Sequence, residues 1–228
     1  MLGEPTNPRY KIPFIDMQSV KYVPLYKLED SYEFPFEEKK IDLIFKGYHS
    51  TRKMKFRPGY YSSPIDTSTH LYSTFAVKEL PYLASHDKST KEKVLRWLRV
   101  IATKNHQHIL RLLATWHQNL SWGFLFIWAR EGNLCEYWNR NSQLPGALDS
   151  RYRQIRWIAD QCSGIADVLA YIHLAGDVYD NHGDIKPENM LFFFFRGTDQ
   201  RHHGRLVLCN VGFAYFRSTW SGEDLTAW

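Results

Sequence analysis

The sequence has little of what disulfide-built, membrane or nucleic-acid-binding proteins need. Its three cysteines, Cys135, Cys162 and Cys209, are odd in number and form no C-x-x-C pair. No disulfide framework is expected, and the setting reads as reducing and intracellular, cytoplasmic or nuclear. No apolar run approaches the ~20 residues of a spanning helix, no secretory leader is visible, and no membrane partner is expected. Phe192 to Phe195 is short and reads as a buried strand. Neither charge sign dominates: 29 Lys and Arg face 24 Asp and Glu, a net charge of +5. That is too mild to indicate a nucleic-acid partner. The densest basic run, Lys46 to Arg57, reads as a solvated strand face. The pair His202-His203 has no companion ligands at metal-binding spacing. No internal repeat is present.

What is present suffices for a sizeable core, or two small lobes: 44% of residues are hydrophobic and 16% aromatic. Residues 1–40, interrupted by Pro5, Pro8, Pro13, Pro24 and Pro35, read as an irregular extension with a short strand near Tyr22–Tyr26. Ile41 to Phe56 reads as two strands around a turn, Arg57 to His70 as a loop and Leu71 to Leu80 as a strand. Lys88 to Ala102 carries Val94, Leu98 and Ile101 at helical spacing. Trp122 to Trp128 reads as a strand. Arg151 to His173 is the clearest helix, with Ile155, Ile158, Cys162, Ile165, Leu169 and Ile172 as a core-facing stripe. Asp149 or Ser150 would cap it and Gly176 would end it. Met190–Phe195 and Arg205–Cys209 read as two further strands.

Between that helix and those strands stands His182-Gly183-Asp184-Ile185-Lys186-Pro187-Glu188-Asn189. A loop of this kind aims a carboxylate at a hydroxyl, a lysine at a phosphate and an amide oxygen at a metal ion. Positioning and charge neutralisation of that sort are what phosphoryl transfer requires of a protein. The alternative is a plain polar turn. The stretch resembles the catalytic loop of protein kinases, H-R-D-x-K-x-x-N, in its serine/threonine form. Further segments are similar to kinase motifs. Phe75-Ala76-Val77-Lys78 resembles the V-A-I-K strand, and Asn105 to Leu113 the H-x-N-I-x-x-L turn. Leu125 to Leu134 resembles the hinge. Its W-A-x-x-G-N-L wording, with Tyr137-Trp138 and H-G-D, looks like a group of kinase-like proteins common in filamentous fungi.

The resemblance implies an α+β, protein kinase-like two-lobe fold. An antiparallel-sheet lobe would occupy 41–129, and an incomplete, mainly helical lobe 130–228, ending in the activation segment. It implies ATP and Mg2+ as cofactors. Asp184 would orient the substrate hydroxyl, Lys186 would neutralise the moving phosphoryl group and Asn189 would hold the metal. Lys78 would grip the nucleotide phosphates and Phe126 would be the gatekeeper. Ala129 would offer backbone groups to adenine. Glu92 would pair with Lys78, unless the Ser89-x-x-Glu92 capping box engages it instead.

The departures are as informative as the matches. The glycine-rich loop register that places Phe45, Gly47, Ser50 and Arg52 at the motif positions keeps only Gly47, and sets Arg52 where a valine would pack on adenine. Asn210-Val211-Gly212 stands in place of D-F-G, so the second metal ligand, Asn210, offers a carbonyl oxygen without the negative charge. Gly183 replaces the arginine that would clasp a phosphorylated activation loop, which implies no switching of that kind. No A-P-E follows, and the expectation is a fragment, a truncated product or a shortened pseudokinase. Two functions follow: a Ser/Thr kinase of impaired activity, or a kinase-derived module that binds a nucleotide weakly or not at all and acts through a protein partner. A nucleic-acid-binding protein is the least supported reading.

Overall fold

The computed structural model describes residues 15–16, 25–31, 33–34, 36–37, 42–46, 50–57, 61–62, 74–80, 106–118, 121–141, 148–174, 182–194 and 204–211. The chain is a mixed α+β protein, rich in antiparallel sheet. Its strands are β1 (Ile15–Asp16), β2 (Leu25–Lys27), β3 (Asp42–Lys46), β4 (Ser50–Lys55), β5 (Tyr61–Ser62), β6 (Thr74–Leu80), β7 (Leu112–Gln118) and β8 (Ser121–Ile127). Helices α1 (Leu134–Arg140) and α2 (Leu148–Leu174) follow, then a 3-10 turn (Pro187–Asn189), β9 (Met190–Phe193) and β10 (Arg205–Leu208). Two compact units divide the chain: Met1–Thr103 with Arg111–Trp128, and Lys104–Leu110 with Ala129–Trp228.

The first unit holds a six-stranded sheet in the order β2-β7-β8-β6-β4-β3. All neighbours are antiparallel except β2 and β7, which run parallel. On one face Phe56, Phe75, Val77, Leu113, Trp116 and Leu125 form a buried cluster. Each such side chain contributes about 1.5–3 kcal/mol of burial. Phe34 packs on Trp116 and Phe36 on Phe56, at ring-centroid distances of 4.7 and 4.8 Å. Within the 1–40 stretch expected to be irregular, residues 25–37 therefore supply an edge strand and two core aromatics. The short strand expected near Tyr22–Tyr26 overlaps β2, which is three residues long and sits at an edge where proline neighbours do little harm; what the prolines masked is the packing of Phe34 and Phe36 on the core. The 57–70 loop likewise contains β5, which pairs in parallel with β1. The helix expected over Lys88–Ala102 lies outside the described residues.

In the second unit, β9 and β10 form an antiparallel pair. A two-stranded sheet leaves one edge of each strand without sheet partners, and buried backbone groups must be satisfied somehow. The free edge of β10 is met by three buried polar side chains and a loop. Trp157 Nε1 donates to Gly204 O at 2.6 Å, and the Leu206 N–H donates to Gln161 Oε1 at 2.9 Å. His108 Nδ1 donates to Leu206 O at 2.8 Å. The Leu208 N–H donates to His108 O and Leu208 O accepts from the Leu110 N–H.

These bonds set the rotation of α2. Its buried face is Trp157, Gln161, Ile165, Val168 and Ile172. The stripe expected from the sequence holds only in its C-terminal half: Ile155 and Ile158 are exposed, as is Cys162. A glutamine and a tryptophan whose polar atoms the strand edge needs displaced aliphatic residues from the buried face. Gly164 completes the fit, because a Cβ there would collide with the His108 ring. Helix α2 also starts earlier than expected, so Asp149 lies in its first turn rather than before it. Helix α1 was not foreseen. Asn133 caps it in a capping box with Glu136, worth about 1 kcal/mol, and its seven residues are too few to show a clear period.

A hydrophobic replacement of the buried Gln161 should therefore destabilise the fold. Gln161→Leu leaves the Leu206 N–H unsatisfied, at a cost of about 1–3 kcal/mol. Urea denaturation of wild type and variant measures this, and an unchanged midpoint would contradict the role given to Gln161.

Candidate functional site

The loop from His182 to Asn189 is fixed at both ends. Pro187 opens the 3-10 turn, closed by the Asn189 N–H donating to Lys186 O at 2.9 Å. Cys209, just past β10, holds the rest. Its N–H donates to Asn189 O at 2.9 Å, and its carbonyl accepts from His182 Nε2 at 2.8 Å. His182 Nδ1 accepts the Asp184 N–H at 3.2 Å. A carbonyl only accepts and an amide N–H only donates, so His182 is the neutral tautomer with its hydrogen on Nε2. Burial, with 1% of its surface exposed, pushes its pKa down, against the opposing pull of the Cys209 carbonyl and the Asp184 charge. Gly183 has φ +71°, the left-handed region that glycine enters without penalty.

Asp184 Oδ1 lies 3.0 Å from Lys186 Nζ. Asp184 Oδ2 accepts from Asn189 Nδ2 at 2.8 Å, and the same amide donates to Asp184 O at 2.7 Å. Burial pushes the Asp184 carboxyl up, but the hydrogen bonds from Lys186 and Asn189 and the nearby positive charge outweigh it. The net result is a pKa below the usual carboxylate value. Asp184 is thus an ionised acceptor that orients a donor, rather than a strong base. Asn210, at φ +62°, donates from Nδ2 to Asn189 Oδ1 at 2.6 Å.

Asp184, Lys186, Asn189 and Asn210 are thus brought into one cluster. The magnesium expected at Asn189 and Asn210 does not fit the arrangement as it stands. The Asn189 oxygen that should face a cation faces the Asn210 amide N–H2 instead. No group of three or more His, Cys, Asp or Glu able to hold a metal occurs among the described residues.

No protein-family model matches the chain, and no curated protein matches it either.

The other expected site residues among those described stand on the first unit's sheet and at the start of the second unit's longer segment. Lys78 is on β6, opposite Thr51 on β4 and Phe124 on β8, and is buried. Directly paired residues share a sheet face, so Lys78 stands on the face opposite Phe75 and Val77. Phe126, also buried, pairs with Ala76 and belongs to the Lys78 face. Arg52 pairs with Val77 and reaches Glu79 at 3.6 Å. Arg52 therefore does not take the valine's place on the Lys78 face. The alternation of the pleat turns it to the other side, where a one-residue error of register always puts a side chain. The Ala129 carbonyl accepts the Gly132 N–H at 3.2 Å in a tight turn, so one of the backbone groups expected to face adenine is engaged. Gly47 and Glu92 lie outside the described residues. Sequence reasoning gave no role to His182. Its position two residues before Asp184 was the available signal, since an imidazole there can accept the aspartate N–H.

The depressed pKa of His182 has a consequence for stability. The unfolded chain takes up this proton near pH 6.5 and the folded one only at lower pH. Stability is full above about pH 6.5 and falls as pH drops below it. His108, depressed first of all by burial, acts with the same sign. Asp184 adds a separate loss only below about pH 3.8. The thermal midpoint should fall between pH 7.5 and 5.5, and His182→Gln should make that slope shallower without abolishing it. Equal slopes in scanning calorimetry would remove His182 from the account.

Proposed function

We propose that the chain is a protein-kinase-like domain of the Ser/Thr type, with the boundary between its two lobes at residues 129–130 of the chain and with impaired phosphoryl transfer. The observation that carries this reading is the Asp184 carboxylate held between Lys186 Nζ and Asn189 Nδ2. An ionised, immobilised carboxylate beside an ammonium is suited to hold a hydroxyl donor next to an anionic group. On this reading Asp184 accepts the hydrogen bond of a Ser or Thr hydroxyl and Lys186 faces the phosphate. Lys78 supplies a second cation for the phosphates of ATP.

A second reading, a binding module that does no chemistry and works through a protein partner, is favoured by Asn210. Its amide engages the Asn189 oxygen and brings no negative charge for a metal. Metal assistance is worth several kcal/mol, and each ~1.4 kcal/mol is a tenfold change in rate. Transfer to a Ser/Thr peptide should be slower than the usual 1–100 s⁻¹ of kinases by on the order of a thousandfold.

ATP should raise the thermal midpoint of the wild type, and Lys78→Met should remove that shift. Equal shifts in both proteins would take Lys78 out of the site. Turnover at ordinary kinase rates in a radiolabelled transfer assay would overturn the impairment.

A further inference from the structure

The hydrogen-bond chain at the loop has a direction that the chemistry dictates. An ionised carboxylate only accepts, so the atom of Asn189 facing Asp184 must be Nδ2. It meets two acceptors there, Asp184 Oδ2 and Asp184 O, and the alternative flip would set oxygen against both. Asn189 Oδ1 therefore faces away, towards Asn210 and the Cys209 thiol. With Asn189 buried, that oxygen needs a donor. Asn210 Nδ2 provides one at 2.6 Å. An aspartate at 210 would bring an acceptor against an acceptor at that distance, and only a cation or a proton between them would make the contact favourable.

We propose that the Asn210 amide stands in for a cation: it closes the polar chain Asn210–Asn189–Asp184 from within, so that the loop is ordered without a divalent metal. Asn210 is thereby a positioning residue that acts on Asp184 through Asn189. The inference rests on the kinase-like reading of the loop for what the cation would be, but not on nucleotide binding or transfer. Asparagine also suits the backbone, since Asn and Asp tolerate φ +62° far better than most other residues. Asn210→Asp is therefore a probe that leaves the main chain unstrained and replaces the donating amide with a charged acceptor of nearly the same shape.

The experiment is thermal unfolding of the full chain at neutral pH, with magnesium chloride alone or with EDTA, and no nucleotide. The wild-type midpoint is expected to be the same in both. Asn210→Asp is expected to unfold roughly 3–10 °C lower in EDTA, the shift that a lost buried hydrogen bond gives in a chain of this size. Magnesium should restore it. A wild-type midpoint that rises with magnesium would overturn the proposal, as would a variant as stable as the wild type in EDTA or one that magnesium does not restore. Should the variant not fold, the side-chain amide of Asn210 decides the matter by nuclear magnetic resonance of the wild type. Slowly exchanging amide protons that magnesium leaves unmoved support the proposal, and exchange as fast as in exposed asparagines overturns it. Because ATP is absent throughout, failure to bind nucleotide would count against the functional reading and leave this test unaffected.

Discussion

The unpaired edge of β10 is the constraint on which the second unit depends. A strand with one sheet neighbour carries a row of N–H and C=O groups that cannot be left buried and unsatisfied. Here Trp157 and Gln161 of α2, the His108 side chain and the backbone of 108–110 take up that row. The arrangement explains three observations at once. Gln161 and His108 are buried although polar, α2 is rotated away from its most aliphatic stripe, and Gly164 lies against an imidazole. Each of these would be a packing defect if hydrophobic burial alone decided the fold. Each follows once the strand edge must be met first, because an orphaned backbone group costs about as much as a modest apolar side chain gains.

The same strand fixes the candidate site. Cys209 prolongs β10 and uses both of its backbone groups on the loop, one on Asn189 and one on His182. His182 passes the constraint to the Asp184 N–H, and Asn189 passes it to the Asp184 carboxylate. The position of Asp184 is thus set by backbone hydrogen bonds that begin in the helix-to-strand packing. Its charge state follows from the same geometry, since the donors on this half-buried carboxylate and the nearby positive charge outweigh the cost of its burial. A histidine held neutral by one carbonyl and one amide adds rigidity without adding charge. The cluster is therefore built to hold one orientation rather than to exchange protons.

The sequence revealed the site better than its surroundings. The run from His182 to Asn189 was legible because its residue types are chemically specialised and its spacing is local, so four residues of turn suffice to bring Asp184 and Asn189 together. Strands β6 and β8 and the hairpin strands β9 and β10 were legible from short apolar runs between turns, and β3 and β4 as a pair of strands around a turn. What escaped was whatever depends on partners remote in sequence. The face of α2 could not be read from periodicity, because the strand edge that recruits Gln161 lies 45 residues away. The pairing of Arg52 with Val77 could not be read from motif spacing, because strand register is fixed by pairing with β6, not by β4 itself. The place of Phe34 and Phe36 in the core was hidden by the prolines around them. Asn210 was read as a weakened metal ligand through its oxygen, whereas the contact its nitrogen makes with Asn189 Oδ1 depends on a residue 21 positions away and was not legible.

Gly183 and Asn210 are the two departures from the kinase pattern that matter most at the site, and they share a conformation. Both have positive φ, at +71° and +62°. Most other residues meet a penalty there of roughly 1–2 kcal/mol, which glycine escapes and asparagine escapes in part. An arginine at 183 and an aspartate at 210 would bring charges that need an external partner, a phosphorylated segment in one case and a cation in the other. Glycine and asparagine remove both charges while keeping the backbone course at little strain, and asparagine supplies from its own amide the donor that Asn189 needs. Local preference and tertiary hydrogen bonding thus agree at each position, which is how a sequence stabilises one conformation against its alternatives.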